Sequence, residues 1–478
     1  MKKQAFNPYL PSYEYVPDGE PRVFDGRVYV YGSHDLFNGK GFCDGDYVCW
    51  SAPEDDLGSW RYEGVIYPKD RDPMNADGKM KLFAPDVVRG PDGRYYLYYV
   101  FNAANVVCVA VCDTPAGQYR YYGQVKLPDG TAYGSRESDV SVFDPGVLVE
   151  GDRVYLYTGF SPSFGWLYDQ MRRENRRAEG SYCAQLEPDM LTIRREPVVV
   201  VPGPCSEDRT GFEGHPFYEA SSIRKVGSRY YFVYSSILSH ELCYAVSEFP
   251  DRGFRFGGIL VSIGDIGLEG NQEAMNYTGN THGGMAQING QWYIFYHRQT
   301  NKQCCARQGC AEPITIRPDG SIAQAELTSC GLNGGPLAGT GSYEARIACH
   351  LGFREPSFAY LAPHESDQLH PYFTQSGDDR EDNPDQYIAN MADGAWCGFK
   401  SFRFHGEHRL RVTVQGTARG TLAVSTGKNE SPFTEIPIKA SANWTEAETT
   451  FPALQGVLPL YFTYQGEGAM DFSAFSME

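Results

Sequence analysis

The sequence predicts an all-β protein in which a five-bladed β-propeller is followed by a β-sandwich of the jelly-roll type. The 478-residue chain is rich in aromatic residues, with 34 Tyr and 27 Phe, and it contains 52 Gly. That composition favours β-strands joined by many tight turns. One turn-and-strand pattern recurs five times in the first two thirds of the chain, and short strand-like runs fill the last third.

Each repeat joins a Gly- or Asp-rich turn to a strand in which aromatic and aliphatic residues alternate. The DG, GD and NG pairs are hairpin turn signals. The repeats recur about every 60–75 residues, which is enough for one four-stranded sheet each, and such sheets stack radially in a propeller. The five segments are FDGRVYVYGS (24–33), PDGRYYLYYV (91–100), EGDRVYLYTG (150–159), VGSRYYFVYSS (226–236) and NGQWYIFYHR (289–298).

The repeat pattern stops after residue 320. Residues 326–342 are dense in Gly, Ser, Thr and Pro and are interpreted as a linker. We therefore predict a propeller over 1–325, a linker over 326–342 and a β-sandwich over 343–478. The charged stretch 168–179 is predicted to form a short helix or a solvated loop.

Charge and cysteine content limit the partners and the compartment. The formal net charge of −18 argues against a nucleic acid or an anionic membrane as partner and suits a neutral or cationic ligand. The sequence contains no run of 18 apolar residues, so no membrane-spanning helix is predicted. Thirteen cysteines without a repeating spacing, and no apolar stretch after Met1, lead us to expect reduced thiols in the cytoplasm.

Three acidic residues from different repeats are candidates for a shared site. Glu20, Asp144 and Glu219 precede the aromatic strand of their repeats by eight, ten and eleven residues. Similar offsets would bring all three to the same end of a propeller. Glu219 also stands among apolar neighbours, which would desolvate its carboxyl group and raise its pKa, as a general acid requires.

Several segments together resemble glycoside hydrolase family 43, a family of five-bladed propeller enzymes that hydrolyse arabinofuranosides and xylosides. The matching segments are NPYLPSYEYVPDGEPRVFDGRVYVYGSHD, FAPDVV before GRYYLYY, FDPGVLV, YEASSIRK and NTHGGMAQINGQWYIFYHR, which span residues 7–298. The C-terminal region, with GFKSFRF and DFSAFSM, is more loosely similar to family 6 carbohydrate-binding modules.

The resemblance implies an inverting mechanism with three acids. Glu219 matches the general acid, and Asp144 matches the residue that tunes and orients it. The family's general base is an Asp in an Asp-Pro pair, whereas this chain has Glu20 before Pro21. Glu20 is therefore the predicted base, with Asp18 as the alternative. An inverting site needs the acid and the base roughly 6.5–9.5 Å apart.

Four further residues carry implied roles. His282, in NTHG, matches a histidine near the propeller axis that is often linked to a calcium ion or to ordered water, although calcium prefers oxygen ligands. Arg307 and Phe83 are predicted to contact the substrate, with a surface arginine and a core phenylalanine as the alternatives. Trp396 is either a sugar platform or a core residue of the sandwich. No cofactor is required.

The predicted protein is thus a cytoplasmic, inverting exo-glycosidase. It would release terminal α-L-arabinofuranose or β-D-xylose from oligosaccharides. A galactofuranosidase of the same family is one alternative. A catalytically silent carbohydrate-binding propeller is another, because the expected Asp is missing. A retaining fructan hydrolase or transferase would be expected to have an N-terminal Asn-Asp-Pro segment and an Arg-Asp-Pro segment. Neither is found in the expected place, since RDP at 71–73 lies before the second aromatic strand in a charged, loop-like stretch.

Overall fold

The structure is a computed structural model that describes residues 3–206, 208–354, 370–377, 379 and 385–478. Seven β-sheets account for its architecture. Five belong to the first unit and two to the second. In the part of the chain that the structure describes, no helix has the length and apolar character needed to cross a membrane.

Five antiparallel sheets form the blades of the first unit. The first blade contains β1 (Glu20–Phe24), β2 (Arg27–Tyr31), β3 (Tyr47–Pro53) and β4 (Arg61–Tyr67). The second contains β5 (Asp86–Arg89), β6 (Tyr95–Tyr99), β7 (Cys108–Cys112) and β8 (Arg120–Gln124). The third contains β9 (Gly146–Glu150), β10 (Arg153–Thr158), β11 (Gly180–Leu186) and β12 (Ile193–Pro202). The fourth contains β13 (Phe217–Val226), β14 (Arg229–Ser236), β15 (Glu241–Ser247) and β16 (Arg255–Ser262). The fifth contains β17 (Met285–Ile288), β18 (Gln291–Thr300) and β19 (Gln303–Ile314).

The first strands of the blades form a closed ring around the axis, since β1, β5, β9, β13 and β17 contact one another in that order and β17 contacts β1. The aromatic runs are the second strands, β2, β6, β10, β14 and β18, and most of their Tyr and Phe side chains are buried between blades. The predicted five-bladed propeller is therefore confirmed. The stretch predicted as a short helix contains the end of α1 (Gly165–Arg173), and five short 3₁₀ segments occur at Lys69–Arg71, Pro73–Asn75, Leu268–Gly270, Gly331–Asn333 and Ala345–Ile347.

Buried charges join the blades along the axis. Arg22 of the first blade donates to Asp86 of the second and to the carbonyl of Val147 in the third. Arg224 of the fourth blade donates to Glu20 of the first at 2.6 Å. Each guanidinium thus bridges blades that are distant in sequence, and these pairs replace the water that the charges lose on burial.

The second unit is a β-sandwich of two six-stranded sheets, as predicted. One sheet contains β20 (Leu337–Ala338), β22 (His350–Gly352), β25 (Trp396–His405), β27 (Arg419–Ser425), β28 (Thr434–Ile438) and β30 (Gln455–Glu467). The other contains β21 (Gly341–Glu344), β23 (Tyr372–Thr374), β24 (Tyr387–Ala392), β26 (Arg409–Gly416), β29 (Ser441–Thr450) and β31 (Ala469–Met477). Their facing sides enclose an apolar core that includes Phe399, Phe462, Phe472 and Phe475.

The segment interpreted as a linker is packed between the two units. Leu327, Ser329 and Leu332 are buried. The amide N–H of Leu327 donates to Asp265 of the propeller at 2.9 Å. At its other end the segment enters the sandwich, because β20 pairs with β25. The connection thus fixes the sandwich against the propeller.

Candidate active site

Three carboxylates lie at the same end of the ring of inner strands. Asp18 and Asp144 stand two residues before β1 and β9, and Glu219 is the third residue of β13. Asp18 and Asp144 have positive φ values of 56° and 43°, and Ala220 after Glu219 has 68°. The pairing of β13 with β14 is also irregular on both sides of Glu219. Such bulges re-aim side chains, and strained backbone of this kind clusters at functional sites.

Glu219 has the environment of a protonated carboxylic acid. Burial and the neighbouring negative charge of Asp144 raise its pKa to about 8, while His282 opposes the shift. The residue as a whole is nevertheless partly accessible to solvent. Glu219 therefore holds a proton at neutral pH and can be reached by a ligand, as a general acid must be.

Asp144 lies directly beside Glu219. Its Oδ2 accepts a hydrogen bond from the backbone N–H of Ala220 at 3.1 Å. The same oxygen is 3.4 Å from Nδ1 of His282. Burial opposes protonation of His282, but the carboxylates of Asp144, Asp18 and Glu20 together outweigh burial and raise the histidine's pKa to about 9. Asp144 thus links the strand that carries Glu219 to a histidine of the next blade.

Asp18 has the environment of an ionised carboxylate. Burial acts to raise its pKa, but neighbouring positive charge, chiefly that of Arg307, outweighs burial and the pKa is lowered. Nη1 of Arg307 donates to Oδ1 of Asp18 at 2.9 Å. The backbone N–H of Asp18 donates to Nδ1 of His297 at 3.2 Å, and Nε2 of His297 contacts the carbonyl of Asn280 at 2.8 Å. Nδ1 of His297 therefore carries no proton, and its hydrogen bond holds the backbone of Asp18 in place.

Glu20 lies in a different environment from the one expected of a general base. Its Oε2 accepts from Arg224 at 2.6 Å, and its side chain is 1% exposed. A Cβ at Gly284 would come within 2.6 Å of this oxygen, so backbone covers the carboxylate closely. Burial is outweighed by Arg224 and Arg22, and the pKa of Glu20 is lowered. This environment is that of an inter-blade ion pair.

Arg307 is enclosed by carboxylates. It is 2% exposed and donates from Nε and Nη2 to Asp35, in addition to its bond with Asp18. Its donors are thus directed at the protein rather than presented to a sugar. The arrangement assigns Arg307 to holding Asp18 ionised and oriented.

Phe83 belongs to a row of partly accessible aromatic rings. Ring centroids are 5.5 Å apart between Phe83 and Phe143, 5.1 Å between Phe143 and Phe160, and 5.2 Å between Phe160 and Tyr218. Tyr218 directly precedes Glu219. The row runs from the second blade to Glu219 and offers apolar faces of the kind on which sugar rings stack.

His282 fits a calcium ion poorly. Its Nε2 is buried without a hydrogen-bond partner among the described residues, and the raised pKa of the ring makes this nitrogen an N–H donor rather than a cation ligand. Calcium requires six to eight oxygen ligands. Among the residues that the structure describes, the only group of three or more His, Cys, Asp or Glu side chains close enough to share an ion is His215, Glu241 and Cys243. We therefore derive no catalytic step through a metal at His282.

Trp396 is not exposed as a sugar platform. It is 7% exposed, its Nε1 donates to the carbonyl of Phe353, and Nζ of Lys428 lies 4.5 Å from its ring centroid. The side chain therefore belongs to the packing of the sandwich, which is the second of the two roles considered for it.

Sequence reasoning missed His297, Asp35 and Tyr218 as parts of the site. Each lies inside a segment that carries the family resemblance: the segments that end in FYHR and YGSHD, and the segment YEASSIRK. Their roles depend on contacts between blades, however, and the pattern within one blade does not reveal these contacts. Polar residues at the ends of aromatic strands were the available signal.

Known proteins resemble this chain over much or all of its length. Residues 21–322 match the model of glycosyl hydrolases family 43. A xylosidase/arabinosidase of Thermoclostridium stercorarium is 51% identical over 100% of this chain and 99% of its own length. A xylosidase/arabinosidase of Bacteroides ovatus is 29% identical, over 60% of this chain and 87% of its own.

Solved structures show the same fold. An arabinoxylan arabinofuranohydrolase of family 43 from Bacillus subtilis, crystallised with cellotetraose, covers 98% of this chain and 96% of its own, with a TM-score of 0.53 and 18% identity. The similarity therefore includes the second unit as well as the propeller. Together with the family match over more than half of the chain, these findings show that the protein belongs to glycoside hydrolase family 43.

Proposed function

We propose that this protein is an inverting exo-glycosidase that releases terminal pentose units, α-L-arabinofuranose or β-D-xylose, from oligosaccharides. The observation that carries the proposal is the opposite tuning of two carboxyl groups in one site: the pKa of Glu219 is raised to about 8 and that of Asp18 is lowered. Two titratable groups whose pKa values are shifted in opposite directions in this way are suited to act as acid and base.

In the proposed reaction, Glu219 donates its proton to the glycosidic oxygen as the bond to the anomeric carbon breaks. Asp18 accepts a proton from a water molecule, whose oxygen attacks the anomeric carbon from the opposite face. The products are an alcohol and a free sugar of inverted configuration. Asp144 keeps the pKa of Glu219 high, and Arg307 keeps Asp18 ionised. All of these groups are side chains, so the reaction needs no cofactor.

This proposal replaces Glu20 with Asp18 as the base. The family match begins at residue 21, so both candidates precede it and the choice rests on geometry. Arg224 pairs with Oε2 of Glu20, whereas Asp18 shares its electrostatic surroundings with Glu219 and Asp144.

The choice of pentose substrates is supported by the names of the relatives, since the protein that is 51% identical is a xylosidase/arabinosidase. The net charge of −18 suits a neutral sugar. All thirteen cysteines are free thiols, which supports the proposed cytoplasmic location. An oligosaccharide small enough to be imported is then the proposed physiological substrate.

A panel of nitrophenyl glycosides tests the proposal. We expect hydrolysis of the α-L-arabinofuranoside or the β-D-xyloside, with NMR showing inversion in the first sugar released. Preferred hydrolysis of the galactofuranoside would support the galactofuranosidase alternative. Binding of a xylo-oligosaccharide without turnover of any glycoside would instead support a silent binding propeller.

A further inference from the structure

The sandwich reaches the segment that leads into Asp18. The hydroxyl of Tyr15, three residues before Asp18, donates to Oε1 of Gln375 at 2.6 Å. Nε2 of Gln386 contacts the same hydroxyl at 3.4 Å. Tyr15, Gln375 and Gln386 are at most 5% exposed. A buried polar contact between the two units therefore lies close in sequence to the proposed base.

Tyr15 is connected to Asp18 through buried hydrogen bonds. The backbone N–H of Asp35 donates to the carbonyl of Tyr15 at 2.9 Å. The carboxylate of Asp35 accepts from Nε and Nη2 of Arg307 at 2.8 and 3.0 Å. Nη1 of the same guanidinium holds Asp18 at 2.9 Å. A shift of Tyr15 is therefore transmitted to the group that orients and ionises Asp18.

The sandwich also braces the hairpin that carries His297 and Arg307. The backbone N–H of Asn301, in the turn between β18 and β19, donates to the carbonyl of Phe373 in β23 at 2.8 Å. The guanidinium of Arg298 lies 3.8 Å from the ring centroid of Phe373. Both holders of Asp18, Arg307 and His297, thus stand on strands whose connecting turn contacts the sandwich.

We infer that Gln375 is a positioning residue for Asp18, acting through Tyr15, and that the sandwich is thereby a structural part of the active site. The inference rests on the proposed role of Asp18 as the base. Asp18 has a φ of 56°, a conformation that persists in a non-glycine residue only when its surroundings enforce it. Small displacements of a reacting group lower the rate strongly, so a distant support has a measurable effect.

Small substrates distinguish a positioning role of the sandwich from a role as a sugar-binding module that targets the enzyme to its substrate. A nitrophenyl monoglycoside occupies only the propeller site and gains nothing from a sugar-binding module. Loss of a targeting function would therefore leave its hydrolysis unchanged. Loss of a positioning function would lower it.

The test compares Gln375→Ala and Tyr15→Phe with Lys400→Met in the full-length enzyme. Lys400 also joins the sandwich to the propeller, at 3.1 Å from Asp265 and 2.8 Å from Glu326, and it does not contact the Tyr15 segment. For both test variants we expect kcat on the nitrophenyl substrate to fall about tenfold or more, with little change in KM. The acidic limb of the pH profile should also move to higher pH, because Arg307 holds Asp18 less firmly. Lys400→Met should keep kcat and the pH profile even if its melting temperature falls.

Unchanged kcat and acidic limb in both Gln375→Ala and Tyr15→Phe would overturn the inference, as would an equal loss in Lys400→Met. If Gln375→Ala does not fold, Tyr15→Phe alone tests the inference, because it removes one hydroxyl and keeps the ring. Asp18→Asn is the reference: if it remained active, the proposed base itself would be excluded. Failure of the proposed function is thus distinguishable from failure of this inference.

Discussion

The backbone N–H of Ala220 donates a hydrogen bond to Oδ2 of Asp144 at 3.1 Å. This bond joins the third and fourth blades at the residue that follows Glu219. It fixes a negative charge beside Glu219, the proposed general acid, and that charge is the second cause, after burial, of the raised pKa of Glu219. This contact therefore adds to the effect of burial on the protonation of Glu219 and joins its strand to the third blade.

Asp144→Asn should move the basic limb of the pH profile to lower pH. The asparagine oxygen can still accept from Ala220, but the negative charge is gone, so the pKa of Glu219 falls from about 8. The acid then loses its proton at a lower pH, and kcat/KM declines earlier as pH rises. A pH series of kcat/KM for both enzymes measures the shift. An unmoved basic limb would show that Asp144 does not tune Glu219.

Glu219→Gln should reduce activity in a way that depends on the leaving group. General acid catalysis supplies about 10²–10⁴-fold, and glutamine cannot donate a catalytic proton. Xylobiose or an arabinosyl oligosaccharide should lose most of this factor, while a dinitrophenyl glycoside, whose leaving group needs no protonation, should lose much less. Steady-state rates on the two substrate types decide the matter, and equal losses on both would argue against Glu219 as the acid.

The fold was predictable because each blade carries its own signal. The turn and aromatic strand of segments such as PDGRYYLYYV predict a hairpin from local residues alone, and five copies specify the architecture. Glu219 and Asp144 were predictable for a related reason, since they precede equivalent strands at similar offsets. Their meeting at one end of the propeller follows from the repeat.

The choice between the two candidate bases could not be made from the sequence in the same way. Glu20 and Asp18 are two residues apart, and the Glu20-Pro21 pair matched the family pattern better by sequence. Contacts with Arg224 and Arg307 distinguish the two carboxylates, and these arginines are about 200 and 290 residues away in the chain. The packing of the linker segment likewise depends on the interface between the units, and that of Trp396 on contacts within the sandwich; no local pattern encodes either.

Arg307→Lys should raise the pH at which activity appears. A lysine keeps one positive charge but lacks the planar fork that bonds Asp18 and Asp35 together. Losing one hydrogen bond between charged groups costs about 1.5–3 kcal/mol. The pKa of Asp18 then rises, so the base becomes protonated at a higher pH and the acidic limb of kcat/KM moves upward. If the acidic limb of the kcat/KM profile stays at the same pH and only KM increases, Arg307 contacts the substrate instead.

Glu20→Gln should affect stability more than chemistry. It leaves the buried Arg224 without its partner, and breaking one side of a buried ion pair costs about 3–5 kcal/mol. We expect a clearly lower melting temperature, measured by calorimetry at pH 7, with kcat per folded molecule within a few-fold of the parent. Because the pKa of Glu20 is lowered in the folded state, the stability it contributes is present above its unfolded pKa and is lost as pH falls through the folded value. The difference between the two proteins should therefore shrink in acid.

Azide rescue of Asp18→Ala is the most direct test of the account, with Glu20→Ala as its matched control. If Asp18 is the base, Asp18→Ala should lose nearly all turnover of the nitrophenyl glycoside, and added azide should restore part of the rate by attacking from the face that water uses. The product should be a glycosyl azide of inverted configuration, identified by NMR. Glu20→Ala, assayed at a temperature where it is folded, should hydrolyse the substrate without azide. The opposite result, with Asp18→Ala active and Glu20→Ala inactive but rescued by azide, would contradict the assignment and make Glu20 the base.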